Sequence, residues 1–332
     1  MRSAPFRRIK AAESLATVTT NQEYTCPPAS ADRAVRPVTD KEFGLFQKLI
    51  YEKAGIYLAA PKRALVDARL AKRIRELGLD SFAAYYHHVV DDRDGAELIQ
   101  LLDRMSTNET HFFREPRQFE FLGTRIVADW TAEAAAGMRS RRIFVWSAGC
   151  STGEEPYSLA MTLREHFPPS AGWEIEILAT DLSTRVLDCA RAAIWPIAKA
   201  EEIPPKYLER FMLRGKSAQA GKMKMTPEIR SMVRFERLNL NDDVYPVSGN
   251  FDLILCRNVL IYFDGPSRLR VIHRLLNYLA PSGYLFVGHA ESLNGLTNQV
   301  RPVMPTVYVH AGNQHPLNPE MNAHSWKVGA MP

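Results

Sequence analysis

The feature that most constrains the fold is the stretch IFVWSAGCSTGEEPYSLA, residues 143–160. Its first four residues are apolar and β-rich, Gly149 and Gly153 permit a tight turn, and Glu154, Glu155 and the proline after them are typical of a first helical turn. The stretch therefore predicts a strand, a glycine turn and a helix at the edge of a parallel sheet, where free backbone N–H groups bind nucleotide-like ligands. Two carboxylates in that turn disfavour a phosphate and favour a ligand with an ammonium group or hydroxyls.

Strands and helices alternate after this stretch. The apolar runs and caps predict strands at 173–180, 251–256, 284–287 and 306–310, the last as an edge strand, and helices from Ser183 and Pro266. This alternation indicates an α/β domain with a mainly parallel sheet and helices on both faces. A segment from about 194 to 235 interrupts it with basic pieces at 222–225 and 232–235, which we interpret as a hairpin in a small inserted antiparallel β-subdomain.

The N-terminal third has a helical pattern. Thr39 is a predicted helix cap, and apolar residues then recur at helical spacing up to residue 105. Residues 1–37 and 313–332 show no sustained period and are expected to be disordered tails. A chain of 332 residues suggests about two domains. We predict an all-helical domain at 38–105, a linker and helix at 106–135, and the α/β domain at 136–312.

The composition is that of an ordinary globular protein, with 46% apolar and 24% charged residues. The four cysteines are scattered and no histidines lie at zinc spacing, which predicts a reducing compartment and no metal. No run approaches the roughly 20 apolar residues of a membrane span, and the basic N-terminus lacks the apolar core of a signal peptide. We therefore expect a cytoplasmic protein without membrane insertion.

One predicted helix is strongly basic. Residues 62–75 contain six basic side chains and one acid, an excess that equals the net charge of +5 of the whole chain. Four of the basic residues fall on one face, apart from the apolar stripe: Lys62, Arg69, Lys72 and Arg73. An acidic partner, a plain solvated face and nucleic acid are the alternatives. Against nucleic acid, no aromatic–basic stacking platform is visible, and the string IPPK lacks the polar and aromatic ends of an Asn-Pro-Pro-Tyr motif.

Two side chains stand out as ligand contacts. Asp181 ends a predicted strand, where an acid can accept hydrogen bonds from ribose hydroxyls, although it could instead cap the helix that starts near Ser183. Arg114 lies in STNETHFFREP, residues 106–116, which is neither regular helix nor strand. Its guanidinium could bind a carboxylate with Asn108 and Thr110 nearby, or the segment could be a simple linker with a snorkelling arginine.

Two further segments reach the same predicted edge. CRNVLIYF, residues 256–263, follows a strand, so Arg257 and Tyr262 are expected on the rim beside Asp181, although a buried tyrosine that hydrogen-bonds a neighbour is the ordinary alternative. Asn239 and Leu240 follow another strand. Five segments that converge on one edge predict a binding site more strongly than any one of them.

Taken together, TNETHFFREP, STGEEPY, ATDLS, NL followed by FDLILCRNVLIYF, and GYLFVGHAES closely resemble the chemotaxis receptor methyltransferases of the CheR type, from about Thr39 to His310. The resemblance implies a Rossmann-like class I methyltransferase domain with a small antiparallel β-subdomain inserted, preceded by an all-helical domain. It further implies transfer of a methyl group from S-adenosylmethionine to glutamate carboxylates on the cytoplasmic helical domains of chemoreceptors. In some members the β-subdomain grips a peptide at the receptor C-terminus.

The resemblance also implies roles for individual residues. Arg114 would pair with the cofactor carboxylate, Tyr262 would stand near the reactive methyl group, and both are assigned to positioning in catalysis. Cofactor contacts would come from Asn108, Thr110, Arg114, Glu154, Asp181, Asn239, Leu240, Cys256 and Arg257. Between Glu154 and Glu155 as the partner of the cofactor ammonium, Glu154 is favoured. The basic helix would dock the acidic receptor helix.

Two rival functions are compatible with a methyltransferase-like site. One is a methyltransferase for nucleic acid or a small molecule, which the missing Asn-Pro-Pro-Tyr motif and the helical substrate-facing domain disfavour. The other is a regulatory module that binds the cofactor without turnover. The second is disfavoured because every expected pocket position carries a competent residue.

Overall fold

The computed structural model describes residues 5–9 and 35–313. Its helices are α1 (Asp40–Ala54), α2 (Arg63–Glu76), α3 (Phe82–Asp91), α4 (Ala96–Met105), α5 (Pro116–Phe121), α6 (Val127–Ala135), α7 (Glu154–His166), α8 (Thr184–Ala192), α9 (Pro205–Phe211), α10 (Pro227–Arg230) and α11 (Gly265–Tyr278). Its strands are β1 (Phe6–Arg8), β2 (Arg142–Ala148), β3 (Glu174–Asp181), β4 (Ile194–Pro196), β5 (Met212–Gly215), β6 (Lys222–Met225), β7 (Val233–Arg237), β8 (Phe251–Cys256), β9 (Leu279–Val287), β10 (Val300–Met304) and β11 (Val307–His310).

Helices α1 to α4 pack around a core of their own. Thr39 caps α1 through a full capping box with Glu42, and Gly55 ends the helix in the left-handed conformation, with φ of 69°. None of the helices within 35–313 is both long and apolar enough to cross a bilayer. A π-helical turn, Leu122–Ile126, joins α5 to α6, and Pro116 opens α5 as its pattern predicts.

The seven-stranded sheet has the order β10-β11-β9-β8-β2-β3-β7. Strands β9, β8, β2, β3 and β7 are parallel, and the β10–β11 hairpin adds antiparallel strands at one side. Along β2, Val145 packs into the core that contains α7, whereas Trp146 packs into the core that contains α11. Helices therefore cover both faces, and the predicted α/β fold class is confirmed. The edge strand is β10, which sequence patterning missed, and β11 lies one place inward.

The second sheet is small and antiparallel, in the order β1-β5-β6-β4. The predicted hairpin between 222–225 and 232–235 is wrong, because β6 pairs with β5 and β4 instead. Strand β7 leaves this subdomain and pairs in parallel with β3, since α10 returns the chain to the large sheet. The partly buried Val233 and Phe235 pack against the main core there, so the predicted end of the β-subdomain at 235 was about ten residues late.

Part of the expected N-terminal tail is ordered. Residues Phe6–Arg8 pair with β5, and Ile9 is buried in the main core with 6% exposure. The expectation of disorder over 1–37 is therefore wrong for residues 5–9. Three strand residues are too few for a detectable alternation, which explains the miss. The rest of that expectation, at 1–4 and 10–34, and the expected C-terminal tail beyond 313 lie outside the described residues.

The helical domain docks on the large sheet domain through polar contacts. The Tyr51 hydroxyl donates to Asp264 Oδ2 at 2.8 Å, and Asn239 Nδ2 donates to the Lys53 carbonyl at 2.7 Å. Thr184 donates to Asp103 through both its backbone N–H and its hydroxyl, at 3.1 and 2.9 Å. These contacts hold the ends of α1 and α4 beside the carboxyl edge of the sheet.

Tyr51→Phe is expected to lower the free energy of unfolding by about 1 kcal/mol, the usual cost of one lost hydrogen bond. Burial alone would raise the pKa of Asp264, but hydrogen bonds from Ser267 and Tyr51 outweigh it, and the net pKa is lowered. A carboxyl with a lowered folded pKa contributes stability above its unfolded pKa and loses it as the pH falls. We therefore expect the difference in the free energy of unfolding between Tyr51→Phe and the wild type, measured by urea unfolding, to be smaller at acid pH than at neutral pH. Tyr57→Phe, at a side chain 51% exposed, is the control and should change little.

Candidate active site

A cavity of about 1010 Å³, including its open mouth, lies where the carboxyl ends of β2, β3 and β8 meet the helical domain and the 106–115 linker. Six separate stretches of the chain line it, within 54–56, 105–119, 149–155, 181–182, 238–240 and 257–263. Its walls are Ala54, Ile56, Met105, Ser106, Thr107, Asn108, Glu109, Thr110, His111, Arg114, Phe119, Gly149, Ser151, Glu155, Asp181, Leu182, Leu238, Asn239, Leu240, Arg257, Asn258, Val259, Tyr262 and Phe263.

The glycine turn after β2 forms the cavity floor. Gly149 has φ of 90°, and a Cβ added there would lie 2.3 Å from Val259 Cγ2, so only glycine permits this approach. The N–H groups of Gly149 and Cys150 both donate to the Thr180 carbonyl, at 2.8 and 2.9 Å. The expected free donors at this turn are therefore already paired with the neighbouring strand, and the turn contributes shape rather than an anion site.

Asp181 faces the cavity from the end of β3. Its two carboxylate oxygens accept from the backbone N–H groups of Ser151, at 2.8 Å, and Ser183, at 3.0 Å. The helix cap is Ser183 itself, whose side chain accepts from Val186 N, so the alternative that Asp181 caps α8 is wrong. Burial raises the pKa of Asp181 despite these hydrogen bonds. The carboxylate retains lone pairs for a ligand hydroxyl.

The two glutamates that open α7 have different environments. Glu154 is fully buried, accepts from Lys199 Nζ at 2.6 Å and from Thr152 Oγ1 at 2.6 Å, and does not line the main cavity. Glu155 does line it and accepts from Ser147 Oγ at 2.7 Å. Consecutive helical residues point about 100° apart, so only one can face the site. Glu155, and not the favoured Glu154, therefore lies on the wall of the main cavity.

Arg257 forms the charged centre beneath the cavity. Its side chain is 1% exposed and lies between Glu155, with Nη1 3.3 Å from Oε2, and Glu115, with Nη2 3.5 Å from Oε2. Nη2 also donates to the Arg114 carbonyl. Burial raises the pKa of Glu155, while Arg257 and the Ser147 hydroxyl oppose that rise. This arginine therefore connects β8, α7 and the linker through one buried cation.

The linker brings three of the predicted contacts to the cavity: Asn108, Thr110 and Arg114. The Nδ2 atom of Asn108 is buried without a hydrogen-bond partner among the described residues. The backbone nearby is strained, because Phe113 and Glu115 have φ of 52° and 60°. Such strain costs about 1–3 kcal/mol per residue. The fold thus maintains an unusual conformation where an unpaired donor is also present.

Of the remaining predicted contacts, some line the cavity and one does not. Tyr262 and Leu240 line the cavity, and Asn239 does too, although its amide is occupied by the Lys53 carbonyl, Asp242 and Asn241 N. Cys256 does not line it. Its side chain is fully buried in the core beneath α11, and burial raises the pKa of its thiol. Strand alternation explains this burial, since Cys256 packs into the same core as Ile254, two residues earlier on β8.

Only some of the basic side chains of the basic helix are exposed. Arg69 donates to the carbonyls of Met105 and Ser106, at 2.6 and 3.1 Å, and Arg73 pairs with Glu97 at 2.6 Å. These two arginines hold α4 and the linker instead of presenting an open charged face. Lys72 is exposed, and Lys62 lies 5.9 Å over the Tyr262 ring, at the cavity mouth.

Several wall residues were missed by sequence reasoning. Three of them lie outside the motifs, and only tertiary contact brings them to the site: Ile56, Met105 and Phe119. Three others stand within the segments 106–116 and 256–263, but their side chains were not singled out: His111, Val259 and Phe263. Ile56 reaches the site through an isolated antiparallel bridge to Phe263. No signal in α1 or its following turn could have shown that pairing.

The residues present fit S-adenosylmethionine. Glu155 offers a largely buried carboxylate for an ammonium group, and Arg114 and the unpaired Asn108 Nδ2 offer donors for a carboxylate. Asp181 offers an acceptor for ribose hydroxyls. Apolar side chains from the helical domain and from the segment after β7 complete the walls for a flat ring: Ile56, Leu238 and Leu240.

This fold and cavity define an S-adenosylmethionine-dependent class I methyltransferase with an all-helical N-terminal domain. Residues 108–309 match the family model "CheR methyltransferase, SAM binding domain", and residues 41–106 match "CheR methyltransferase, all-alpha domain". The chain belongs to the CheR methyltransferase family.

Named relatives agree with this assignment. The chain is 40% identical to chemotaxis protein methyltransferase 2 of Pseudomonas aeruginosa, over 81% of this chain and 93% of the relative. It is 37% identical to the chemotaxis protein methyltransferases of Borreliella burgdorferi, over 82% and 94%, and of Escherichia coli, over 82% and 91%. The protein is an enzyme of S-adenosylmethionine-dependent methylation in chemotaxis.

Proposed function

We propose that this enzyme methylates glutamate side chains on the helical cytoplasmic domains of chemoreceptors, in the cytoplasm, yielding methyl esters and S-adenosylhomocysteine. The observation that carries the proposal is the cavity itself, where a largely buried carboxylate, an arginine, an unpaired amide donor and an apolar wall open beside a helical domain. The proposed division is a helical substrate-facing domain at 38–105, a linker and helix at 106–135, and a methyltransferase domain at 136–312.

The proposed contacts follow the charges in the cavity. Glu155 holds the cofactor ammonium, Asp181 the ribose, and Arg114 with Asn108 the cofactor carboxylate. Thr110, Asn239 and Leu240 border the rest of the ligand, and Arg257 holds Glu155 and the linker in place. Tyr262, at the mouth beside Lys62, stands where the acceptor side chain enters.

The chemistry requires little of the protein beyond positioning. When bound, the cofactor supplies an electrophilic methyl group on a sulfonium. A glutamate carboxylate is ionised at neutral pH, so the enzyme needs no general base for its attack. Arg114 and Tyr262 act by holding the reactants in line and excluding water. Such positioning can lower the activation barrier by about 7 kcal/mol or more.

Receptor docking is proposed on two surfaces. Lys72 and Arg75 are the exposed cations left on α2 and attract an acidic receptor helix toward the mouth. A receptor C-terminal peptide would extend the small sheet by strand addition. Within the described residues one outer strand of that sheet is β1, so the peptide would use β4 or displace β1.

The test is transfer of radiolabelled methyl from S-adenosylmethionine to membranes that contain chemoreceptors, with and without glutamate-to-alanine changes in the receptor methylation helices. Base-labile label that disappears with those changes is the expected result. His111→Gln should retain transfer, because a carboxylate acceptor needs no base, whereas an amine or hydroxyl acceptor would. Label that goes to nucleic acid or a small molecule, or cofactor binding without any transfer, would contradict the proposal.

A further inference from the structure

The linker segment 108–111 is a wall shared by two cavities. Its residues line the main cavity on one side and a second, more open groove on the other, of about 830 Å³ with the solvent at its opening included. The groove is also lined by Glu154, Trp195 and Lys199. A change on the groove side therefore reaches the main cavity through a single stretch of backbone.

This wall is held by side chains from outside the linker. Ser151 Oγ donates to the Asn108 carbonyl at 2.9 Å, and Lys199 Nζ donates to the Thr110 carbonyl at 3.0 Å. Just beyond the wall, the amides of Phe112 and Phe113 donate to Glu202 Oε2 and Ser158 Oγ, at 2.9 and 3.0 Å.

Lys199 is the support that joins the wall to α7 through a charged group. Its ammonium lies 2.6 Å from Glu154 Oε1 while it donates to Thr110. Glu154 is fully buried at the start of α7, so its position is rigid. A buried carboxylate needs a charged partner, and removing one partner leaves an uncompensated buried charge. The ion pair therefore ties the wall to the same helical turn that carries Glu155.

We propose that Lys199 is a positioning residue for methyl transfer, which holds the 108–111 wall against Glu154 so that Asn108 and Arg114 face the cofactor. The inference rests on the proposed cofactor contacts. Lys199 and Glu202 belong to the short segment that follows strand β4 of the small sheet. The small sheet is thereby coupled to the cofactor site, and Glu154 acts as an anchor for the wall and not as a ligand contact.

The experiment compares the wild-type enzyme with Lys199→Met, Lys199→Arg and the charge-balanced double variant Lys199→Met/Glu154→Gln. Titration calorimetry gives the dissociation constant for S-adenosylhomocysteine, and hydrogen exchange follows the amides of Phe112 and Phe113. Lys216→Met is the matched control, because this lysine is exposed on the same subdomain just after β5, a strand that pairs with β1 and β6 and not with the linker.

We expect the double variant to raise the dissociation constant by about tenfold or more, since small misplacements of positioning groups can cost up to about 100-fold. Both amides should exchange faster at an unchanged melting temperature, and Lys199→Arg should restore most of the affinity. Unchanged affinity and exchange in the double variant, or an equal effect of Lys216→Met, would overturn the proposal. If the wild-type enzyme bound no S-adenosylhomocysteine, the proposed function would fail, while the exchange data would still decide the role of Lys199.

Discussion

Replacing Glu155 by glutamine is expected to raise the dissociation constant for S-adenosylmethionine by about 100-fold. Glu155 lines the cavity, and a charge-assisted hydrogen bond in a buried site contributes about 1.5–3 kcal/mol; each 1.4 kcal/mol corresponds to about tenfold. Glu154→Gln is the matched control, one residue away. Its amide oxygen still accepts from Lys199, so we expect less than about a tenfold change. Titration calorimetry measures both.

The same variant should alter the pH dependence of binding. Burial raises the pKa of Glu155 in the folded protein. The carboxyl therefore takes up a proton as the pH falls through this raised pKa, and cofactor affinity should fall at a higher pH than for an ordinary glutamate. The free energy of unfolding depends on pH in the opposite direction to cofactor affinity. A carboxyl whose pKa is raised in the folded state stabilises that state at low pH, and this contribution is lost as the pH rises.

Glu155→Gln should remove this pH dependence of affinity. An equal pH profile in Glu155→Gln and the wild type, or a larger loss of affinity in Glu154→Gln than in Glu155→Gln, would show that the assignment of the ammonium site is wrong.

Arg257→Met is expected to lower the free energy of unfolding by about 3–5 kcal/mol, the usual cost of removing one partner from a buried ion pair. The guanidinium lies between Glu115 and Glu155 and also donates to the Arg114 carbonyl. Without it, two carboxylates remain close together in a buried site without a cation between them. Urea unfolding followed by circular dichroism gives the change.

Two comparisons separate this charge effect from lost packing. Arg117→Met, at an exposed arginine three residues after Arg114, should change the free energy of unfolding by less than about 0.5 kcal/mol. Arg257→Met/Glu115→Gln should recover part of the loss, because it removes one unpaired carboxylate. If this double variant were no more stable than Arg257→Met, the destabilisation would come from packing and not from charge.

Local signals predicted most of the elements that position the site. The capping box at Thr39, the apolar run of β8 and the glycine turn before α7 each depend on neighbours a few residues away, so the pattern of the chain contains them. Asp181 and Tyr262 were placed on the cavity edge because the carboxyl ends of parallel strands meet there.

The errors arose where remote contacts outweighed local pattern. The basic face of α2 is genuine, yet Arg69 and Arg73 are paired with groups 24 or more residues away. Strand β7 looked like half of a hairpin, and only its packing against β3 shows that it belongs to the large sheet. Residues 5–9 gave no periodic signal, and their pairing with β5 spans about 200 residues of chain.

The sequence by itself determined the α/β class, the helical domain before it, the family resemblance and the edge of the sheet at which the ligand site lies. These follow from periodicity, caps and motifs, which act over a few residues. Only the tertiary structure decided that Glu155 and not Glu154 faces the cavity, that Cys256 is buried in the core, and that Lys199 holds the linker. Those outcomes depend on how α7 is rotated against the sheet and on which distant side chains meet it, and burial of a charge is stable only where such a partner is present.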